Sequence, residues 1–172
     1  MLRIPDKIQN FRVYTEGEVL LGVAGEIALP ELSGMTEAVS GAGVLGEYNT
    51  AAVGHFSDME IEIPFINYCK GMFDLADFSS DKNLTLRGAM QERNTATGAL
   101  EPVGLRISVR GNVTGYTMGT LKAATGAKPT VKMSLTYYLI VYDGEEMFEL
   151  DKVNGIYKVN GKDVLSKYTA LC

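Results

Sequence analysis

Apolar and polar residues alternate along most of this chain, and that period of two restricts its fold more than any other feature, because it sends successive side chains to opposite faces of an extended strand. Met59-Glu-Ile-Glu-Ile-Pro-Phe65 places Met59, Ile61 and Ile63 on one face and Glu60 and Glu62 on the other. Leu84–Arg87, Leu105–Arg110 and Val131–Tyr137 repeat the pattern. Phe11–Tyr14, the turn signal Thr-Glu-Gly-Glu and the apolar run Val19–Val23 read as a hairpin. Ile27–Leu29 reads as a short strand stopped by Pro30, which has no N–H to give to a ladder. Met147–Leu150 and Ile156–Val159 are further short strands, with Asn154-Gly155 and Asn160-Gly161 as turn signals. A helical period occurs once, at Tyr68, Met72, Leu75 and Ala76, with Asn67 as N-cap and Gly71 as a weak point. The expected fold is mainly β, an antiparallel two-sheet sandwich or barrel core with one α-helix.

At 172 residues the chain fits a single domain, 1–172, with a sizeable core. Its 16 Lys and Arg against 21 Asp and Glu give a net charge of −5, the reverse of the basic excess that tight phosphate binding requires. Two cysteines, Cys69 and Cys172, are too few for a disulfide framework and read as free thiols in a reducing compartment. The first residues carry neither a secretory apolar stretch nor an Arg/Ser-rich transit pattern. The longest apolar or aromatic run, Tyr137–Tyr142, is six residues, well short of the roughly 20 that cross a bilayer, so a soluble chain without a membrane anchor is expected. Both faces of that run are apolar. One face would meet the core and the other a partner subunit or the helix.

Chemical motifs fail on context. Gly41-Ala-Gly43-Val-Leu-Gly46 matches the dinucleotide fingerprint G-x-G-x-x-G, but no buried strand precedes it and no amphipathic helix follows. Gly161-Lys162 lacks the spacing and the Ser or Thr of a phosphate loop, and reads as a turn. A single histidine, His55, gives a triad or a two-histidine metal site only one position to build on. Cys69 reads as a small buried apolar residue, and Glu60 and Glu62 as a solvated strand face. No catalytic, cofactor-binding or metal-ligating residue is assigned, and no cofactor is expected.

The segment from Ser33 to Ser57 is rich in Gly, Ala, Ser and Thr and shows no clean period. For an isolated loop, ordering the backbone of Ser40–Phe56 costs more than burying Val44, Leu45, Tyr48, Val53 and Phe56 returns. Such a loop is either disordered in the free subunit or fixed by neighbours on assembly, and its apolar content favours assembly.

The residues also resemble a family. Ile4-Pro5, Asn10-Phe11-Arg-Val-Tyr14, Leu20-Leu-Gly-Val-Ala24, Leu29-Pro-Glu-Leu32, Gly41-Ala-Gly43, Gly46-Glu47 and Met59-Glu60 resemble the major tail tube proteins of contractile-tailed bacteriophages and phage-tail-like bacteriocins. Leu84-Thr-Leu-Arg-Gly88 and Asn160-Gly161-Lys-Asp163-Val extend the resemblance over nearly the whole chain. It implies a structural, non-enzymatic subunit, six copies of which close into a ring. Rings stack into a hollow tube, with inner sheets merging into one tube-wide barrel.

The resemblance further implies an N-terminal arm at residues 2–9 and an extended stacking hairpin at 39–57. Ile4, Pro5, Gly41, Gly43, Val44, Leu45, Gly46, Tyr48 and Phe56 are then the inter-subunit candidates, and Glu60 and Glu62 the lumen-facing ones. The implied partners are further copies of the chain, a sheath outside, baseplate and tape-measure proteins, and DNA only as non-specific passing cargo. The implied location is a virion tail or bacteriocin particle assembled in the host cytoplasm. A conduit for DNA should have a neutral or negative wall, so Arg106, Arg110 and Lys132 are expected to pair with carboxylates or face outward. The rivals are a ring protein of type VI secretion and, from a different class, a monomeric ligand-binding β-barrel.

Overall fold

The computed structural model describes residues 2–171. Its strands are β1 (Arg3–Thr15), β2 (Glu18–Val19), β3 (Gly34–Ser40), β4 (Glu47–Phe56), β5 (Glu60–Pro64), β6 (Lys82–Asn94), β7 (Leu100–Thr117), β8 (Thr130–Tyr142), β9 (Glu145–Asp151), β10 (Ile156–Val159) and β11 (Lys162–Asp163). Two short helices, α1 (Lys70–Leu75) and α2 (Ser166–Thr169), complete it. The mainly β antiparallel fold expected from the alternation is what forms, with a second short helix beyond the one expected.

From β6 onward the chain is a meander, and the sheet order is β11-β10-β9-β8-β7-β6-β1-β2 with β5 added on β8. β8 has two neighbours on its second side. Its first half pairs with β5, Glu60 opposite Ser134 through Pro64 opposite Thr130. Its second half pairs with β9, Tyr137 opposite Asp151 through Tyr142 opposite Glu145. The sheet can divide in this way because β8 carries an extra residue, Thr136, opposite the Arg110–Gly111 step, and β7 carries one, Thr114, between Val113 and Gly115, and a bulge bends and twists the strand that carries it. Curled on itself, the sheet encloses one core: Val13, Ile61, Ile63, Leu84, Ile107, Val131, Met133 and Leu150, closed by Met72 and Leu75 of α1. Among the described residues no buried side-chain nitrogen or oxygen lacks a partner.

Several local expectations are corrected. Val19–Val23 does not extend as a strand: Leu20 N–H still donates to Val13 O (2.8 Å), but the chain turns at Leu21 and Gly22 and Val23 bridges Phe65 instead. Ile27–Leu29 is irregular, with Ile27 alone packed on the core. The helix starts at Lys70, two residues later than the apolar spacing suggests. Asn67 accepts the N–H of Tyr68 (2.9 Å) ahead of it, and Cys69 holds the cap position without a side-chain capping bond. Gly71 lies against Leu20, whose Cδ1 a β-carbon there would press on.

The segment read as aperiodic forms the β3–β4 hairpin. Its side chains are nearly all exposed, so burial imposes no alternation on it. In Tyr137–Tyr142, Tyr138 and Ile140 join the core. Leu139 and Val141 lie outside that cluster, 8% and 7% exposed, and their register neighbours are Ser108, Glu149, Arg106 and Glu146. The aliphatic stems of long charged residues on that face can shield them, and α1 does not, since its buried residues belong to the core. Cys172 lies outside the described residues. Cys69 is half-buried against the core, its thiol donating to Leu21 O at 3.4 Å.

Candidate assembly surfaces

Three surfaces carry the residues singled out in the sequence. The first is the β3–β4 hairpin, a two-stranded sheet separate from the main one. Gly41, Gly43, Val44, Leu45 and Gly46 form its end loop. Val44 N–H donates to Gly41 O and Gly46 N–H to Val44 O, both at 3.1 Å. Gly43 and Gly46 take φ of +91° and +105°, a region open to glycine. The fingerprint-like spacing therefore serves a turn between antiparallel strands, where no helix N-terminus faces a phosphate.

Leu45 is wholly exposed at the end of this hairpin, and Tyr48 and Val53 are exposed on β4. His55 is also exposed there. The root is held. Phe56 sets its ring edge-on against Tyr157 (5.1 Å), Ser57 N–H donates to Ser33 O (2.9 Å), Lys152 Nζ to Ser57 O (2.6 Å), and Leu165 packs where a β-carbon on Gly54 would stand. Phe56 is thus part of the anchor, while the other hairpin candidates project.

The second surface is the outer half of β1. Residues 3–8 continue the strand and pair with the end of β6, Arg3 opposite Asn94 through Ile8 opposite Met90, with bulges after Pro5 and Ile8. Ile4 and Ile8 are exposed. Arg3 reaches three carboxylates, Glu101 at 3.2 Å, buried Glu92 at 3.8 Å and Asp143 at 4.0 Å, and so ties the start of the chain to β6, β7 and the β8–β9 turn.

The third surface is β5, where Glu60 and Glu62 are exposed and Ile61 and Ile63 buried, as the alternation requires. Lys132 meets Glu62 at 2.6 Å, and this hydrogen bond and charge hold its ammonium pKa above the ordinary value. Arg110 reaches Asp151 at 3.0 Å and lies over the Tyr137 ring, and Arg106 is exposed. Of the three basic residues on the polar strand faces, Arg110 and Lys132 are paired with carboxylates as expected, and Arg106 is exposed to solvent.

Sequence reading missed a groove of about 890 Å³ between β1 and the irregular segment that follows β2, lined by Phe11, Val13, Val23, Ile27, Leu86 and Ile107. The only signal for it is the apolar run after Gly17, which reads as strand. Among the described residues no group of His, Cys, Asp and Glu is placed to hold a metal, and no helix is long and apolar enough to cross a membrane.

Residues 5–171 match the family described as phage tail tube protein FII. The chain is 25% identical to the tail tube protein of Escherichia phage P2 over 168 residues, 97% of this chain and 96% of that one. It is 24% identical to the major tail tube protein of Serratia phage KSP20, over 95% of this chain and 92% of that one. Among solved structures, a chain of the extended sheath–tube complex of the extracellular contractile injection system PVC shares its fold, with a TM-score of 0.53 at 15% identity over 80% of this chain and 90% of that chain. A chain of the sheath/tube terminator of that system gives 0.54 at 16% identity, over 80% and 96%. The chain belongs to the phage tail tube protein FII family, and it is a tail tube subunit.

Proposed function

We propose that six copies of this chain close into a ring, and that rings stack through the β3–β4 hairpin into the hollow inner tube of a contractile tail. The observation that carries this reading is the hairpin itself. A lone two-stranded ribbon is at best marginally stable in water, yet here one projects from a finished core with Met35, Leu45, Tyr48 and Val53 uncovered. A neighbouring copy supplies the missing contacts. Ile4 and Pro5 on the outer half of β1 and Gly41, Gly43, Val44, Leu45, Gly46 and Tyr48 on the hairpin are its inter-subunit residues, with Phe56 fixing the root. Lateral contacts close the ring, and the axial contact joins unlike surfaces and so continues without limit.

On this reading 1–172 is one domain with residues 2–9 as its arm, and the inner sheets of the copies form one barrel around the lumen. Glu60 and Glu62 face that lumen, and the Glu62–Lys132 pair keeps the basic residue from presenting a free charge to passing phosphate. The subunit is structural and has no catalytic role. The PVC assembly is a sheath–tube complex, and a sheath likewise surrounds the tube built from this chain. Baseplate and tape-measure proteins bound it, and DNA passes without sequence recognition. The particle is a virion tail or a bacteriocin built in the host cytoplasm. Electron microscopy of the purified chain tests the reading: rings or tubes are expected, and protein that stays monomeric at high concentration and in every salt condition overturns it.

A further inference from the structure

Charge is divided along this chain. Between Arg12 and Lys70 lie nine carboxylates and no Lys or Arg, whereas between Glu101 and Asp143 lie five Lys and Arg and no carboxylate. The fold sets parts of these two blocks at opposite ends of one strand. β5 begins just after the hairpin root at Phe56 and Ser57. It ends at Pro64, beyond which Phe65 N–H donates to Pro129 O (2.8 Å) and Lys128 N–H to Ile66 O (3.3 Å). The β7–β8 connection, residues 118–129, is thereby fixed at the end remote from the hairpin root, roughly 20 Å away at strand rise.

That connection is shaped in advance. Thr120 N–H donates to Ala127 O (2.9 Å), and Gly119 takes φ +75° where a β-carbon would run into the same carbonyl. It exposes Lys122 and Lys128 around Leu121, which is 84% exposed, and Met118. The adjoining α1, just ahead of which Tyr68 donates its hydroxyl to Met118 O, adds Lys70 and Asp74, whose charges offset each other. The hairpin offers the complement: Glu47 beside the end loop on one face, Glu37 on the face of Val39 and Tyr48, and Leu45 at the tip, all exposed except half-buried Val39.

We propose that the 118–129 loop of a second copy of this chain receives the β3–β4 hairpin, with Glu37 and Glu47 facing Lys122 and Lys128 and with Leu45 against Leu121. The inference rests on the tube reading and names the two halves of its axial contact. Because the two surfaces sit at opposite ends of the same strand, the contact runs head to tail, and each added copy presents a fresh hairpin or a fresh loop. A receptor fixed beforehand leaves only the hairpin to be ordered on docking.

Charge exchange tests this. Three variants are compared with the unaltered chain: Glu37→Lys with Glu47→Lys, Lys122→Glu with Lys128→Glu, and all four changes together. Circular dichroism establishes that each folds, and sedimentation and negative-stain microscopy measure tube. Each double reversal is expected to lower sedimentable tube at least tenfold. The fourfold variant should recover it, and so should an equimolar mixture of the two double variants, whose hairpins and loops are complementary only between unlike copies. Folded double variants that polymerise as well as the unaltered chain overturn the proposal and leave the tube reading intact. Loss in the doubles without recovery in both the fourfold variant and the mixture also overturns it. An unaltered chain that forms neither ring nor tube removes the tube reading itself.

Discussion

Gly111 stands where β8 bulges at Thr136 against β7, so close to its neighbour that a β-carbon would overlap Ser134 O and crowd the Leu135 backbone. The obstacle is the main chain of β8, and no side chain can swing away to relieve it. Gly111→Ala should therefore lower unfolding free energy by at least about 2 kcal/mol, read from denaturant midpoints, because accommodation means parting two long paired strands. Asp151 is a polar counterpart, 4% exposed at the end of β9. Its carboxylate accepts from the N–H of Val153 (3.0 Å) and of Asn154 (2.9 Å), from Asn154 Nδ2 (2.7 Å) and from Arg110 (3.0 Å), and so fixes the turn into β10. Burial alone would raise its pKa, but the Asn154 and Val153 bonds and the Arg110 charge outweigh burial and hold it below the ordinary value of 3.8. A carboxylate whose folded pKa is depressed stabilises the fold fully above 3.8, and that stabilisation fades as pH falls through the lowered value. Asp151→Asn should cost about 1–3 kcal/mol at pH 7. The gap to the unaltered chain should narrow steadily below pH 3.8, and a pH-independent gap would contradict this account of the carboxylate.

At the scale of elements, stability is divided between a finished body and an unfinished ribbon. β6, β7 and β8 each lie between two partners and contribute Leu84, Ile107, Val109, Met133 and Leu135 to the core, so their amides should exchange only on global unfolding. Each strand of the β3–β4 hairpin has one partner and almost no burial. In the unassembled subunit the amides of 35–40 and 47–53 should exchange orders of magnitude faster than those of 105–110, and they should gain protection in polymer. Equal protection in the free subunit would mean that the hairpin does not need a neighbour.

This division also explains what could be read from sequence. Strands with one buried face, such as β5, announce themselves because burial selects the residue at every second position; Ile61 and Ile63 against Glu60 and Glu62 are the clearest case. β3 and β4 bury neither face, so their sequence records flexibility and small size in place of a period. Only the surplus of Leu45, Tyr48 and Val53 marks them as surfaces awaiting a partner. The outer half of β1 is illegible for a similar reason: Arg3–Ile8 gains its conformation from pairing with Met90–Asn94 of β6, far later in the chain. The 118–129 loop leaves no local signal, since its role depends on where Phe65 and Ile66 hold it.

For the whole molecule, the consequence of the tube reading with most chemical content concerns the wall of the conduit. Glu60 and Glu62 are repeated in every copy, so the sign of charge at these two positions is multiplied along the lumen. Duplex DNA releases counterions in proportion to the phosphates a protein neutralises, and its affinity falls with salt with a slope of about −0.9 for each. Glu62→Lys would replace the 2.6 Å pair with Lys132 by two like charges on neighbouring strands, and Glu60→Lys would add a third cation nearby. Neither position lies on the hairpin or on the 118–129 loop, so polymerisation should persist. Tubes built from the Glu60→Lys, Glu62→Lys chain should hold duplex DNA in a nuclease-protected form at low salt and release it steeply as salt rises, while unaltered tubes hold little. DNA bound on the outside would remain open to nuclease, which separates the two locations. If the altered tubes protect no more DNA than the unaltered ones, these glutamates do not face the channel, and the lumen must be lined by another face of the sheet.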